Sequence, residues 1–107
     1  MAERTPAARI LVTRDAKTDR YELRRHEIDS RGEGELLSFA EHSLDGRVMT
    51  LSYVETLPKH RNNQFAAMLM AGILDEARLM GWQIRPTCGF AASYIQDHPD
   101  MHYLLVP

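Results

Sequence analysis

The chain has 107 residues, 44% of them hydrophobic and 26% charged, and a formal net charge of −2. That length supports one hydrophobic core rather than two, so a single domain over residues 1–107 is expected. Without a basic excess to neutralise phosphates, general binding to nucleic acid or to a membrane surface is excluded. Cys88 is the one cysteine and cannot close an internal disulfide. No apolar leader opens the chain, and no run approaches the roughly 20 apolar residues of a membrane helix. A soluble protein in a reducing, cytoplasmic setting follows, as a monomer or weak homodimer.

Met1 to Ala7 is polar, contains Pro6 and reads as a loose end. Ile10-Leu11-Val12 within Arg9 to Arg14, and the alternation through Tyr21 and Leu23 within Arg20 to Arg25, predict an opening hairpin. Arg24-Arg25-His26 is too short a basic patch to argue for nucleic acid and reads as a solvated strand end. Asp29 to Gly34 is loop by composition; its two glycines, with no third and no helix after them, read as an ordinary turn rather than a phosphate cradle. Glu35 to His42 predicts a strand, Asp45-Gly46 a two-residue hairpin, and Arg47 to Val54 a returning central strand with both faces partly apolar.

Phe65, Met68, Leu69, Gly72, Ile73, Ala77 and Met80 recur three and four apart, which predicts one amphipathic helix stopped by Gly81. Met68, Met70 and Met80 are expected mainly in the core, with an adaptable binding surface as the alternative. Trp82 to Arg85 alternates as a strand that Pro86 ends, and Gly89 to Gln96 reads as a short helix before Pro99. The apolar tail Tyr103-Leu104-Leu105-Val106 should pack back onto the domain. The result is an α+β fold: four antiparallel strands, a long helix, a strand parallel to the one before that helix, and a short helix. A right-handed crossover then opens the long helix near the carboxyl ends of the two parallel strands.

Lys59-His60-Arg61 precedes that helix, where the helix dipole disfavours cations by about 0.3–1 kcal/mol. Either the turn holds an anion on its backbone N–H groups, with the cations around it, or it is a solvated basic turn. His98 and His102, four apart, could suggest a zinc site with Cys88, but Pro99 spoils the helical face and no metal is expected.

Ala77-Arg78 to Gly81, Pro86-Thr87-Cys88-Gly89-Phe90, Tyr94-Ile95 and His98-Pro99-Asp100 resemble the short, single-domain branch of the GNAT-type N-acetyltransferases. The resemblance covers roughly Tyr21 to Leu105. It implies a GNAT-like mixed sheet in which acetyl-CoA enters where the two parallel strands splay, its pyrophosphate on a turn of form Arg/Gln-x-x-Gly-x-Gly/Ala. That turn would be Arg61, Asn62, Asn63, Gln64, Phe65 and Ala66. Arg61 and Ala66 match; the central glycine is replaced by Gln64, and Asn62 stands where a further glycine is common. Tyr53, Val54 and Glu55 would line the pantetheine arm, with Tyr53-Val54 in place of the usual His-Thr pair.

The implied chemistry is acetyl transfer from acetyl-CoA, as cosubstrate, to an amine. Cys88 would lie near the acetyl group, as pocket wall or as transient acyl acceptor, and Tyr94 would donate the proton to the departing thiolate. The alternative is a catalytically degenerate scaffold that binds CoA or another protein.

Overall fold

The computed structural model describes residues 9–27, 32 and 34–107. The expected loose end and most of the loop Asp29 to Gly34 lie outside these residues. Five strands, β1 (Arg9–Asp15), β2 (Arg20–His26), β3 (Glu35–Asp45), β4 (Val48–Thr56) and β5 (Gln83–Pro86), form one sheet in sequence order. The first four are antiparallel; β5 runs parallel to β4 after the helix α1 (Phe65–Met80). The short helix α2 (Gly89–Gln96) and a 3-10 segment, Pro99–Leu104, complete the fold. This is the mixed α+β architecture anticipated above.

Alternation sorts the sheet into two faces. Tyr21 and Leu23 of β2, Ala40 and His42 of β3, and Met49 and Leu51 of β4 are buried under the helices. Between them, Glu22, Phe39 and Glu41 turn to the opposite face, which no helix among the described residues covers. The inner face joins Leu69, Ile73 and Ala77 of α1 with Ala91 and Ile95 of α2 in one core. α1 lies so close to β1 that a Cβ on Gly72 would come within 2.6 Å of a Val12 methyl. At the far end of α1, Gly81 adopts φ 74° and its N–H bonds back to the last turn, while the Trp82 N–H donates to the Ala77 carbonyl at 2.9 Å. Such a left-handed closure satisfies carbonyls that the helix leaves open.

Three expectations shift in detail. Asp45 still pairs with Val48, so the hairpin loop is Gly46-Arg47 rather than Asp45-Gly46. The buried stripe of α1 includes Met70 and Leu74, whereas Met68 and Met80 are 44% and 54% exposed. Of the three methionines only Met70 packs in the core, because a 3.6-residue period fixes the spacing of a stripe but leaves its phase to the neighbouring elements. β5 begins at Gln83, since Trp82 is still engaged in closing α1. The tail does return: Leu105 bridges Ile84 in parallel and the Val106 N–H reaches the Ile84 carbonyl at 3.0 Å.

Candidate active site

The pairing of β4 with β5 lasts four residues, from Val48 opposite Gln83 to Leu51 opposite Pro86. The strands then separate. The Leu51 carbonyl receives the N–H groups of Thr87 and Cys88, at 3.0 and 3.3 Å, and β4 continues from Ser52 to Thr56 beside β3 alone. At the same point β3 and β4 slip by one residue, because Glu41 pairs with Tyr53 while His42 pairs with Leu51. Ser52 is the extra residue of this bulge, and its hydroxyl donates to the Glu41 carbonyl at 3.2 Å. A bulge bends and twists its strand. Here it coincides with the fork, which leaves one edge of Ser52–Thr56 free of a strand partner.

Beyond the bulge Val54 turns inward against the core, while Tyr53 and Glu55 lie on the open face. The Tyr53 hydroxyl donates to the Glu55 carboxylate, which raises the phenol's pKa, with desolvation second. The Tyr53 ring sits 5.9 Å from that of Phe39. The three residues expected along the pantetheine arm therefore share a strand but divide between its faces.

The turn into α1 has the shape a glycine-bearing sequence would take. Asn62 and Gln64 both adopt left-handed backbone, with φ of 69° and 61°. Asparagine tolerates this geometry; glutamine adopts it at a cost of about 1–2 kcal/mol. The Asn63 side-chain amide braces the turn by donating to the carbonyls of His60 and Arg61, at 3.2 and 3.3 Å. No side chain caps α1 and its first turn holds no acidic residue. The first helical bond runs from the Met68 N–H to the Gln64 carbonyl at 3.1 Å, so the amides of Phe65, Ala66 and Ala67 have no intrahelical acceptor. That row of donors opens beside the fork.

The basic triplet divides into two functions. His60, only 8% exposed, places Nε2 2.8 Å from Glu35 of β3, and the Lys59 ammonium lies 3.1 Å from the same carboxylate. Hydrogen bonds from Lys59 and then His60 hold the Glu35 carboxyl below its ordinary pKa. The His60 ring also meets Phe65 edge-on at 6.0 Å, which ties the turn to the first residue of α1. Arg61 is held to β4 instead: its Nε donates to the Thr56 carbonyl at 3.1 Å, and its guanidinium pairs with Glu55 at 3.9 Å, with 57% of the side chain exposed. Glu35 lies 25 residues from His60, and no local pattern could have announced the pair.

Cys88 is the residue preceding α2. It is half-buried against the core, beside the Leu51 carbonyl at the fork. Tyr94 lies further along α2, its ring stacked on His98 with centroids 4.0 Å apart. Burial raises the Tyr94 pKa, aided by the charge of Asp100. The ring nitrogens of His98 and His102 rest on the carbonyls of Tyr94 and Gln96, at 2.6 and 3.2 Å.

A strand fork, an uncapped helix start with paired left-handed residues, and a half-buried thiol now stand together at one end of the sheet. The family profile described as GCN5-related N-acetyl-transferase matches residues 20–104. The chain belongs to that family. Among solved structures it is similar to a GCN5-like protein from Staphylococcus aureus, solved in solution, at 12% identity and a TM-score of 0.59, covering 90% of this chain and 87% of that one. It is also similar to N-acetylglutamate synthase from Neisseria gonorrhoeae, complexed with coenzyme A and N-acetyl-glutamate, at 17% identity and a TM-score of 0.49. That alignment covers 72% of this chain and 19% of the synthase. No curated protein sequence matches the chain. The first of these likenesses supports the GNAT fold, and no helix among the described residues is long and apolar enough to cross a membrane.

Proposed function

We propose that this GNAT-family chain transfers an acetyl group from acetyl-CoA to an amine. The observation that carries the reading is the coincidence of the β4–β5 fork with the uncapped start of α1. In this reading the pyrophosphate lies on the amides of Asn62 to Ala66, where aligned N–H groups and the helix dipole favour an anion. Arg61 swings from the Thr56 carbonyl to the phosphates. The pantetheine arm adds to the free edge of β4 along Tyr53 to Glu55, with backbone groups supplying the hydrogen bonds. This brings the thioester toward Cys88.

The neutral acceptor amine attacks the thioester carbonyl carbon. A C–N bond forms, the C–S bond breaks, and the CoA sulfur leaves as thiolate. In this reading the sulfur takes its proton from water rather than from Tyr94, whose ring is stacked on His98, and the amine's surplus proton also passes to water. Cys88 shapes the acetyl pocket. The same residue as a nucleophile would require an acyl-cysteine, detectable as a mass increment on the intact protein.

The deciding experiment is an amide-resolved NMR titration with acetyl-CoA, following Tyr53 to Ala67 and Cys88. Saturable shifts there, lost in Arg61→Glu, are the expected result. Silence at millimolar ligand would replace the enzyme reading with that of a degenerate scaffold serving as an interaction module. Side chains at both left-handed positions, Asn62 and Gln64, are what favour that second reading.

A further inference from the structure

The fork and the turn leave a concave feature on the helical side unused. An open pocket of about 400 Å³ lies between α1 and the α2 end of the chain, lined by Ala71, Leu74, Asp75, Tyr94, His98 and Met101. Ala71, Leu74 and Met101 give it an apolar wall. The Tyr94–His98 stack, with its rings 20° from parallel, forms another, and His98 is fixed in place by its contact with the Tyr94 carbonyl. Aromatic faces of this kind attract cations. Asp75 gives one carboxylate oxygen to Arg78 at 2.6 Å, and its side chain is 60% exposed at the rim, with its second oxygen left for another donor. Asp100 lies near enough to Tyr94 for its charge to act on the phenol. A carboxylate thus stands at the rim of an aromatic stack above an apolar floor.

We propose that this pocket anchors a protonated basic nitrogen carried on an apolar chain, and that it holds the non-reacting end of the acceptor. The second half of this inference rests on the acetyltransferase reading. Carboxylates beside an ammonium favour its protonated form. A protonated nitrogen has no lone pair with which to attack a thioester, so the anchored nitrogen is not the one acetylated. Tyr94 stands six residues beyond Cys88, about 9 Å along α2 at a helical rise of about 1.5 Å per residue. The acceptor therefore carries a second, reactive amine at a comparable distance from its anchored cation. Diamines and amine-bearing bases with a short alkyl linker are the class that fits.

The test uses cadaverine, pentylamine and pentanoate as probes of the intact chain, read by amide-resolved NMR. Both amines should saturably shift residues 71–75 and 94–101, and pentanoate, the anion of similar body, should not. Asp75→Asn should weaken amine binding about threefold, as befits a charge pair at an exposed rim. Ala71→Phe, at an exposed helix position, should abolish the response while leaving the other resonances in place. With acetyl-CoA present, cadaverine should be acetylated and pentylamine should act as an inhibitor, its only nitrogen being the anchored one.

The inference is overturned if neither amine shifts the pocket, if pentanoate matches them, if acetyl-CoA competes for the same residues, or if pentylamine is acetylated as well as cadaverine. Acetyl-CoA shifts at residues 53–66 without amine shifts would remove this pocket and leave the transferase reading standing. Amine shifts with acetyl-CoA silent would keep the cation pocket, while the transferase reading and the acceptor role would fall together.

Discussion

The two ends of α1 are built on opposite terms. Its carboxyl end is closed: Gly81 and Trp82 turn back onto the last carbonyls, and in the helix body Gly72 lies against Val12. Glu76 nearby accepts a 2.6 Å hydrogen bond from the Tyr21 hydroxyl and pairs with Arg14 at 3.4 Å. The amino end has two left-handed non-glycine residues, no cap and no acidic side chain in its first turn. Capping a helix start contributes about 1 kcal/mol, and leaving φ negative at Gln64 would save a similar amount. The fold forgoes both where the strands part and closes its last turn on the Ala77 and Arg78 carbonyls where they do not. The open end is the one whose unspent hydrogen bonds are available to a ligand.

Substitutions can break this contrast or sharpen it. The largest effect belongs to the closed half: Leu69→Ala, at a fully buried position, should lower unfolding stability by about 2–5 kcal/mol in a urea titration. Gly72→Val should cost about 1–3 kcal/mol through overpacking against β1, and Val12→Ala in the same chain should recover much of that loss. An unchanged deficit in the double variant would mean that the close approach is not the cause. Gln64→Gly should act in the opposite direction, adding about 0.5–1 kcal/mol, because relief of left-handed strain exceeds the extra freedom of an unfolded glycine. The same variant should tighten acetyl-CoA binding if the turn cradles phosphate.

The smallest expected effect is a pH dependence centred on His42. This residue is 4% exposed, its ring lies 4.7 Å from that of Tyr21, and its Nδ1 has no hydrogen-bond partner. Burial, then the charge of Arg14, depresses its pKa, while Asp19 and Glu76 oppose them. The unfolded chain then takes up a proton that the folded one resists. Stability is full above the ordinary histidine value of about 6.5 and declines as pH falls below it. His42→Gln should flatten that part of the profile, and a slope retained in the variant would assign it to other groups.

Much of the architecture could be read from local pattern. The first hairpin, the reach of α1 and the parallel return of β5 follow from alternation, helical spacing and a crossover rule, each written in neighbouring residues. Gly81 announced its own conformation. The site was legible only in part, because its shape depends on distant pairings. The bulge at Ser52 leaves no local mark: it shows only in the pairing of two distant strands, where Glu41 faces Tyr53 and His42 faces Leu51. The apparent misplacement of Lys59 and His60 dissolves once Glu35 is beside them, a contact that only the fold can make. Gln64 shows the reverse case, in which the residue predicts poorly and the backbone path persists, since the bracing of Asn63 and the packing of Phe65 determine the turn. The pocket between α1 and α2 was equally out of reach, because Asp75 and Tyr94 meet only after the chain has passed through β5.

The return of the tail to β5 has a consequence for how the molecule meets its own copies. A sheet ends in strands whose outer N–H and C=O groups are templates for another chain. On the β5 side that template is only four residues long, contains Pro86, and is occupied at Ile84 by Leu105 and Val106. The segment thereby works as a guard against edge-to-edge polymerisation. It leaves β1, with the charges of Arg9, Arg14 and Asp15 at its ends, and the free edge of β4 at Ser52–Thr56 as the margins among the described residues where a second strand could add.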